Sequence, residues 1–163
     1  MDRPDGPADI LLRRSEGPDD APFLLTLFAV AQGGPLAALD PPLRDLLLRQ
    51  SFAGQTATYR ARHPQGRFEI VECSGRPVGR IVTDRDVAAL TIVDLALLPE
   101  WRGRGLGTRL LEDILAEARA AGLPVRLSVA AQNAGARRLY ARLGFRAVAS
   151  SDLALDLAWT PAP

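Results

Sequence analysis

The glycine-rich segment at residues 102–108, RGRGLGT, constrains this chain more than any other part of its sequence. It follows an apolar run at residues 90–98 and opens a segment in which Leu110, Ile114 and Ala118 continue an apolar helical spacing. Glycines let the backbone approach a ligand closely, and the first amides of a helix have no partner within the helix. The pattern therefore predicts a strand, a loop and a helix whose N-terminus binds a pyrophosphate.

Two common nucleotide-binding loops do not fit this segment. A Walker A loop needs a lysine that reaches the phosphates, and all 20 basic residues of this chain are arginines. A dinucleotide fingerprint, Gly-x-Gly-x-x-Gly, needs a third glycine where Leu110 follows Gly105 and Gly107. The segment therefore belongs to another class of phosphate-binding loop.

Length and composition predict one globular domain over residues 1–163, with frayed ends at 1–7 and 160–163. The net charge of +1 gives no electrostatic reason to expect nucleic acid or an acidic membrane as a partner. Cys73 is the single cysteine, and no apolar run approaches a signal region or the roughly 20 residues of a membrane-spanning helix. We therefore expect a cytoplasmic protein without disulfides and without a membrane partner.

Hydrophobic periodicity and turn residues predict a mixed order of strands and helices. In chain order they are a strand at 10–12, helices at 19–34 and 40–63, strands at 67–73, 78–84 and 88–98, a helix at 106–121, a strand at 125–129, a helix at 134–143, and strands at 145–149 and 153–159. Gly33 and Gly34 are expected to end the first helix, and Gly144 to end the last one in the left-handed conformation. This order predicts an α/β fold with a mixed, mostly antiparallel sheet of about seven strands, flanked by about four helices.

Two sequence blocks together resemble one known family. The first is LALLPEWRGRGLG at residues 95–107, an apolar strand followed by Pro-Glu and Arg-x-x-Gly-x-Gly. In the second block, Asn133 is followed by Tyr140 and then by Gly144 and Phe145. In this order, and separated by a helix and a strand, the blocks resemble the GNAT superfamily of N-acetyltransferases. The resemblance covers residues 90–146 and implies the GNAT fold.

The resemblance implies acetyl-CoA as the co-substrate. The strand that ends at Leu97 would separate from the next strand, expose its backbone to the pantetheine arm and direct the amide near Leu97 at the thioester oxygen. The loop amides would bind the pyrophosphate, and a side chain at Gly105 or Gly107 would block that approach. The implied cofactor-binding residues are Leu95, Ala96, Leu97, Arg102, Gly103, Arg104, Gly105, Leu106, Gly107, Thr108, Asn133 and Arg137.

Several of these polar residues also have an ordinary structural interpretation. Asn133 precedes a predicted helix and is a favoured N-cap residue, a role compatible with a contact to the pantetheine arm. Arg102, Arg104, Arg137 and Arg138 either flank the phosphates of coenzyme A or form a solvated basic face. The sequence leaves both interpretations open.

Tyr140 is the residue to which the resemblance assigns acid catalysis. A phenol with a pKa of about 10 keeps its proton at neutral pH and can protonate the departing thiolate. The alternative is a core aromatic residue at helical spacing with Ala136 and Leu143.

The general base does not carry over from the family pattern. Some GNAT members that acetylate protein N-termini have a glutamate five residues before the asparagine, where this chain has Ser128. Asp94, in an apolar strand, is the first candidate, and its alternative is a structural hydrogen-bonding role. Glu69, Glu72 and a chain of waters are the other candidates.

His63 and Cys73 carry no predicted chemistry. His63 precedes a proline at a helix end and is expected in a loop or capping role. Cys73 lies in a predicted strand and is expected to be a small buried apolar residue. Because one histidine and one cysteine do not form a metal site, we expect no metal.

The sequence therefore predicts an N-acetyltransferase that moves an acetyl group from acetyl-CoA to a primary amine by direct attack in a ternary complex. The acceptor site is expected between the first two helices, the strand around Asp94 and the final hairpin near residues 150–152. A small-molecule amine is the favoured acceptor. The alternatives are a protein amine or N-terminus, a longer acyl chain, and a non-catalytic acyl-CoA-binding domain. The oligomeric state stays open, with a homodimer as one option because GNAT relatives often dimerise.

Overall fold

The structure is a computed structural model that describes residues 11–163. Its strands are β1 (Leu11–Ser15), β2 (Arg67–Cys73), β3 (Arg76–Arg85), β4 (Leu90–Leu97), β5 (Val125–Ala130), β6 (Arg146–Ser150) and β7 (Ala154–Trp159). Its α-helices are α1 (Ala21–Leu36), α2 (Pro41–Arg62), α3 (Leu106–Ala121) and α4 (Ala134–Arg142), with short 3-10 helices at Pro18–Asp20 and Pro99–Trp101. None of these described helices is both long and apolar enough to cross a membrane.

The seven strands form one mixed sheet in the order β1-β2-β3-β4-β5-β7-β6. β4 and β5 run parallel, and the other neighbouring strands run antiparallel. A parallel pair needs a crossover connection, and α3 provides it between β4 and β5. The predicted α/β fold class, with a mostly antiparallel seven-stranded sheet, is confirmed.

The core is built around the apolar face of α3. Six residues of this helix are buried, at the spacing expected for one helix face: Leu106, Leu110, Leu111, Ile114, Leu115 and Ala118. They pack in one cluster with strand residues such as Ile81, Leu90 and Val125. Burying each leucine or isoleucine side chain contributes about 1.5–3 kcal/mol. This packing fixes the position of the loop that precedes α3.

The first strand and helix differ from the prediction at their ends. β1 begins at Leu11, and the predicted strand residue Ile10 and the predicted frayed segment 1–7 lie outside the described residues. The prediction that Gly33 and Gly34 end α1 is wrong, because the helix continues through Pro35. Glycine lowers helix stability by about 1 kcal/mol but does not block helical dihedral angles, and a proline near the helix end removes few hydrogen bonds.

A bulge interrupts the pairing of β3 with β4. Val82 pairs with Asp94, whereas the next residue, Thr83, pairs with Ile92. Val93 is therefore an extra residue in β4 without a counterpart in β3. Such a bulge bends the strand and increases its local twist.

The bulge also reverses which residues of β4 face the core. Ile92 belongs to the cluster around α3, and beyond the bulge Leu95 and Leu97 pack against that same cluster. Asp94 and Ala96 instead line a cavity bounded by α1 and α2. Because side chains alternate along a strand, the extra residue is what turns Asp94 away from the α3 side.

β4 and β5 separate soon after they begin to pair. Their register includes three pairs, which end with Ile92 opposite Leu127. Beyond this point, residues 93–97 of β4 and 128–130 of β5 have no register with each other. On its other edge, β4 remains paired with β3 as far as Leu97. The sheet therefore contains an internal gap that opens toward the N-terminus of α3.

Arg14 and Asp20 connect β1 to the start of α1 through a two-point ion pair. Arg14 Nη1 and Nη2 each donate to a carboxylate oxygen of Asp20 at 2.8 Å, and the Gly17 N–H donates to Asp20 Oδ2 at 2.8 Å. The hydrogen bonds from Arg14, followed by the bond from Gly17, lower the pKa of Asp20 to about 2. A lowered carboxyl pKa stabilises the fold above the unfolded-state pKa, and this contribution is lost as the pH falls through the folded-state value.

We expect Asp20→Asn to lower the free energy of unfolding by about 1 kcal/mol at pH 7, because it removes a buried, paired charge. Because 42% of the Arg14 side chain is exposed to solvent, the loss should be smaller than the full pKa shift of Asp20 would give. Urea unfolding at pH 7 and near pH 2 measures the effect, with the exposed Asp19→Asn as the matched control. An equal loss at both pH values would contradict the ion-pair origin.

Candidate functional site

The glycine-rich loop connects β4 to α3 through two left-handed residues. Gly103 has a φ of 70° and Gly105 a φ of 79°, and a Cβ at either position would meet no described atom within 4 Å. Gly105 is the N-cap of α3, and no side chain caps the helix there. The first amides of α3 are therefore open to a ligand, and the helix dipole favours an anion.

Gly107 lies where three elements meet. A Cβ at this position would lie 3.4 Å from Leu139 Cδ2 of α4 and 3.9 Å from Leu97 Cδ1 of β4. A side chain at Gly107 would thus first meet Leu139, which must yield slightly. The predicted block to ligand approach by a side chain at Gly107 stays a prediction.

Three of the arginines assigned to cofactor binding are held by specific contacts. Arg102 Nε donates to the Leu97 carbonyl at 3.0 Å, and the guanidinium of Arg104 lies over the Trp101 ring, 4.7 Å from its centroid. These two contacts keep positive charge at the loop, where phosphates would be bound. Arg137, on α4, instead donates from Nη1 to the Ala131 carbonyl at 2.9 Å.

The backbone of Leu97 faces the gap between β4 and β5. The Leu98 N–H donates to the Val78 carbonyl of β3 at 2.8 Å. Because successive N–H groups alternate sides along a strand, the Leu97 N–H and C=O face away from β3. The Leu97 carbonyl accepts a hydrogen bond from Arg102 Nε. The N–H of Leu97 is therefore the backbone group of this residue that is directed into the gap. This orientation suits the predicted role of the amide as a donor to a thioester oxygen.

Gly79 of β3 permits the close approach of β4, a role that sequence reasoning missed. A Cβ at Gly79 would lie 2.4 Å from the Ala96 carbonyl oxygen and 2.6 Å from Leu97 Cδ2. Real side chains do not tolerate such distances, so glycine is required where β3 passes the site. The available signal was a glycine inside an apolar strand pattern, which often marks a close backbone approach.

Tyr140 is buried on α4, with 8% of its surface exposed. Its ring packs edge-on against Phe145, with centroids 5.5 Å apart. Burial raises the pKa of Tyr140, and the negative charge of Asp94 raises it further. The phenol therefore keeps its proton at neutral pH, as a general acid requires. Tyr140 belongs to the core cluster, and its catalytic role stays a prediction.

Asn133 caps α4. Its Oδ1 accepts the Ala136 N–H at 3.1 Å, which satisfies one of the unpaired amides of the helix. The N-cap interpretation is confirmed, and the contact with a pantetheine arm stays a prediction.

A cavity of about 90 Å³ lies between the first two helices and the middle of the sheet. The residues that line it are Leu24, Leu27, Phe28, Ala31, Gln32, Phe52, Gln55, Arg80, Asp94 and Ala96. They come from α1, α2, β3 and β4, which include the predicted helices and the predicted strand. The final hairpin near residues 150–152 contributes none of these lining residues.

Asp94 is a half-buried carboxyl group in the wall of this cavity. Burial raises its pKa, and the positive charge of Arg80 and a hydrogen bond from the Leu95 amide oppose that rise. A carboxylate with a raised pKa is a better proton acceptor near neutral pH than an exposed aspartate. The structure thus gives Asp94 the surroundings of a candidate general base.

Tyr59 is a second tyrosine near Asp94 that sequence reasoning missed. Burial raises the pKa of Tyr59, and the charge of Asp94 raises it further against the opposing effect of Arg80. Tyr59 follows Phe52 and Gln55 at helical spacing on α2, and both of those residues line the cavity. That spacing was the signal that could have identified the cavity side of α2.

Glu69 and Glu72, the other predicted bases, do not line the cavity. Glu69 pairs with Arg13 of β1 at 3.4 Å, and Glu72 pairs with Arg14 at 2.6 Å. Both carboxylates join β1 to β2 and are separate from the site around Asp94.

His63 and Cys73 have structural positions. His63 ends α2, and its Nδ1 lies 2.7 Å from Asp84 Oδ2. Cys73 is fully buried, as expected for a small apolar residue. Within residues 11–163, no group of three or more histidine, cysteine, aspartate or glutamate side chains is arranged to hold a metal.

Comparison with known proteins relates this fold and site to other chains. An uncharacterized N-acetyltransferase of Methanocaldococcus jannaschii is 36% identical over 88 residues, a match that covers 48% of this chain and 38% of that relative. The PaiA N-acetyltransferase of Thermoplasma acidophilum, solved in complex with coenzyme A, has a TM-score of 0.71 at 16% identity, covering 93% of this chain and 99% of the other. The ribosomal-protein-S18-alanine N-acetyltransferase of Escherichia coli has a TM-score of 0.67 at 21% identity, covering 94% and 96%. These two structures share the fold of this chain.

A family model also matches most of the chain. Residues 37–145 match the model of the acetyltransferase (GNAT) family. The match begins just before α2, ends just before β6 and includes the bulged strand, the glycine-rich loop and α4. This chain belongs to the GNAT acetyltransferase family, and the resemblance inferred from its two sequence blocks is confirmed.

We expect Gly105→Glu to weaken acetyl-CoA binding on the order of 100-fold, because it places a strained side chain and a negative charge at an anion-binding helix terminus. Gly122→Glu is the matched control, since Gly122 is also left-handed, with a φ of 66° and open surroundings, at the opposite end of α3. Isothermal titration calorimetry measures both variants. Retained binding in Gly105→Glu, or an equal loss in Gly122→Glu, would contradict the assignment.

Proposed function

We propose that this chain transfers an acetyl group from acetyl-CoA to an amine held in the cavity beside Asp94. The supporting observation is the bulged strand β4, in which Leu97 faces the gap and Asp94 faces the cavity. A thioester along the gap and an amine in the cavity would meet at the end of this strand. Membership of the GNAT family supports acetyl-CoA as the donor.

The donor is held by backbone and by arginine side chains in this proposal. Amides of the loop and of the first turn of α3 bind the pyrophosphate, and the nearby arginines neutralise phosphate charge. The pantetheine arm follows the free edge of β4 as an added strand would. Acetyl-CoA supplies an activated thioester whose carbonyl carbon the amine attacks directly.

Each catalytic residue has one task. Asp94 accepts a proton from the substrate ammonium, which leaves a nucleophilic amine. The Leu97 N–H stabilises the negative charge that develops on the thioester oxygen. As the carbon–sulfur bond breaks, Tyr140 donates its proton to the departing sulfur, and the second proton lost from the acetylated nitrogen restores the phenol. Because the amine attacks the thioester directly, no covalent enzyme intermediate is needed.

A small-molecule amine fits the cavity better than a polymer. A volume of about 90 Å³ corresponds to roughly three water molecules and accommodates the reactive end of a small acceptor. A protein N-terminus is the second candidate, because the Escherichia coli protein with this fold is a ribosomal-protein alanine N-acetyltransferase. An assay of thiol release with both small amines and peptides distinguishes the two.

We expect Asp94→Asn to lower kcat/KM about 100-fold or more near pH 7, because the amide cannot accept the ammonium proton. In the wild type, kcat/KM rises with pH as Asp94 loses its proton. Burial raises the pKa of Asp94, against the effect of Arg80. The rise in kcat/KM should therefore lie at a higher pH than the usual aspartate pKa of about 3.9.

Asp84→Asn on β3 is the matched control, since Asp84 pairs with His63 and does not line the cavity. The rise with pH should persist in this control and disappear in Asp94→Asn. An unchanged pH profile in Asp94→Asn would exclude Asp94 as the base.

We expect Tyr140→Phe to lower kcat by 10-fold or more while acetyl-CoA affinity is retained, because only the proton-donating hydroxyl group is removed. The phenylalanine ring preserves the packing against Phe145, so thermal unfolding should change little. Turnover equal to that of the wild type would remove Tyr140 from the acid role. Acetyl-CoA binding without turnover of any amine by the wild type would favour the non-catalytic alternative.

A further inference from the structure

Arg80 is a buried arginine in the wall of the acceptor cavity. It belongs to β3, and 3% of its surface is exposed. Its Nε lies 3.2 Å from Glu16 Oε2, but the two atoms do not meet hydrogen-bond geometry. Within residues 11–163, Nε and Nη2 of Arg80 have no hydrogen-bond acceptor.

Unpaired donors on a buried guanidinium are unfavourable. Arginine stays charged in proteins, so Arg80 cannot lose a proton to relieve the cost of burial. Buried polar groups normally find a partner in the protein, in water or in a ligand. Because Arg80 lines a cavity, the missing acceptor can come from a molecule that enters it.

The charges around the cavity indicate which acceptor is suitable. Arg60 Nη2 lies 2.5 Å from Glu16 Oε1, so Arg60 and Arg80 share the carboxylate of Glu16. Both guanidinium groups also lie over the Phe68 ring, at 4.3 Å and 5.6 Å from its centroid. The two positive charges are balanced only when Asp94 is counted with Glu16.

An incoming ammonium changes this balance. Once the ammonium pairs with Asp94, one positive charge at the pair of arginines is no longer compensated within the cluster. A substrate that brings its own negative charge restores neutrality in a site where unpaired charge is costly. A carboxylate matches the planar fork of donors on a guanidinium, and it is smaller than a phosphate, which suits a cavity of about 90 Å³.

We propose that the acceptor is an α-amino acid with an apolar side chain, and that Arg80 binds its carboxylate. The inference rests on the proposed function, in which Asp94 receives the amino group. In this proposal the amino and carboxylate groups fill the cavity of about 90 Å³, and the apolar residues Leu24, Leu27 and Phe28 at its wall offer contacts to the first carbons of the side chain, which extends outward. Arg80 is then a specificity-determining residue for the acceptor.

The first test compares three acceptors that differ only at the carboxylate: L-leucine, L-leucinamide and 3-methylbutylamine. Release of coenzyme A thiol is followed with wild-type protein and saturating acetyl-CoA. We expect kcat/KM for leucine to exceed that for the decarboxylated amine about 100-fold or more, because a site that hydrogen-bonds one group rejects analogues without it. Leucinamide, which resembles the start of a peptide, should fall well below leucine.

The second test uses Arg80→Lys, which keeps a positive charge beside Glu16 but loses the planar fork of donors. We expect KM for leucine to rise 10-fold or more and KM for 3-methylbutylamine to stay the same. Arg60→Lys is the matched control, since it makes the same exchange and keeps the charge at an arginine that contacts the same Glu16 but does not line the cavity. The leucine preference should persist in Arg60→Lys, and thermal unfolding of both variants checks the fold.

The outcomes separate this inference from the proposed function. Equal or faster acetylation of 3-methylbutylamine, of leucinamide or of a peptide would overturn the role of Arg80 and leave the acetyltransferase function intact. A leucine preference unchanged in Arg80→Lys would do the same. Binding of acetyl-CoA without acetylation of any amine in the panel would overturn both.

Discussion

The separation of β4 from β5 is the constraint on which the rest of the site depends. Two parallel strands that part after three residue pairs leave backbone groups without strand partners in the middle of a sheet. α3 begins at the wide end of this gap, and its buried face keeps the helix there. On the edge of β4 that faces away from the gap, Gly79 allows β3 to stay close to β4. The packing of α3 and the pairing of β4 with β3 therefore fix the position of β4 beside the gap.

The two faces of the sheet near β4 differ in their polarity. On one face, α3 and α4 bury an apolar cluster that includes Tyr140. On the other, Arg80 and Asp94 bring charge to the wall of the cavity, and Glu16 lies 3.2 Å from Arg80 Nε. Buried charges lower the free energy of unfolding unless they are paired, so this second face is less favourable for the stability of the fold than the apolar face. The raised pKa of Asp94 shows the same cost, because burial disfavours the charged form of its carboxyl group.

Features with a local signal were predictable from the sequence. The glycine-rich segment was expected to open α3, and Gly144 was expected to end α4 in the left-handed conformation; α3 does begin after Gly105, and Gly144 is left-handed. Arg80 and Tyr59 were missed because their importance arises from contacts among α2, β3 and β4, which are distant in the chain. Arg80 did have one signal, a charge inside an apolar strand. The end of α1 was mispredicted because glycine only weakens a helix, and tertiary packing decides where it ends.

The extra residue Val93 determines which face of the sheet each later residue of β4 occupies. Ile92 and Leu95 share a face only because one residue is inserted between two regular alternations. If the same residues paired without the bulge, Asp94 would project among the apolar residues beneath α3, and Leu95 would enter the cavity in its place. Deletion of Val93 would remove the bulge and still leave Asp94 on the cavity face, because regular alternation after Ile92 gives the same two faces. The bulge thus lets the strand carry an extra residue without exchanging the polar and apolar faces of the site.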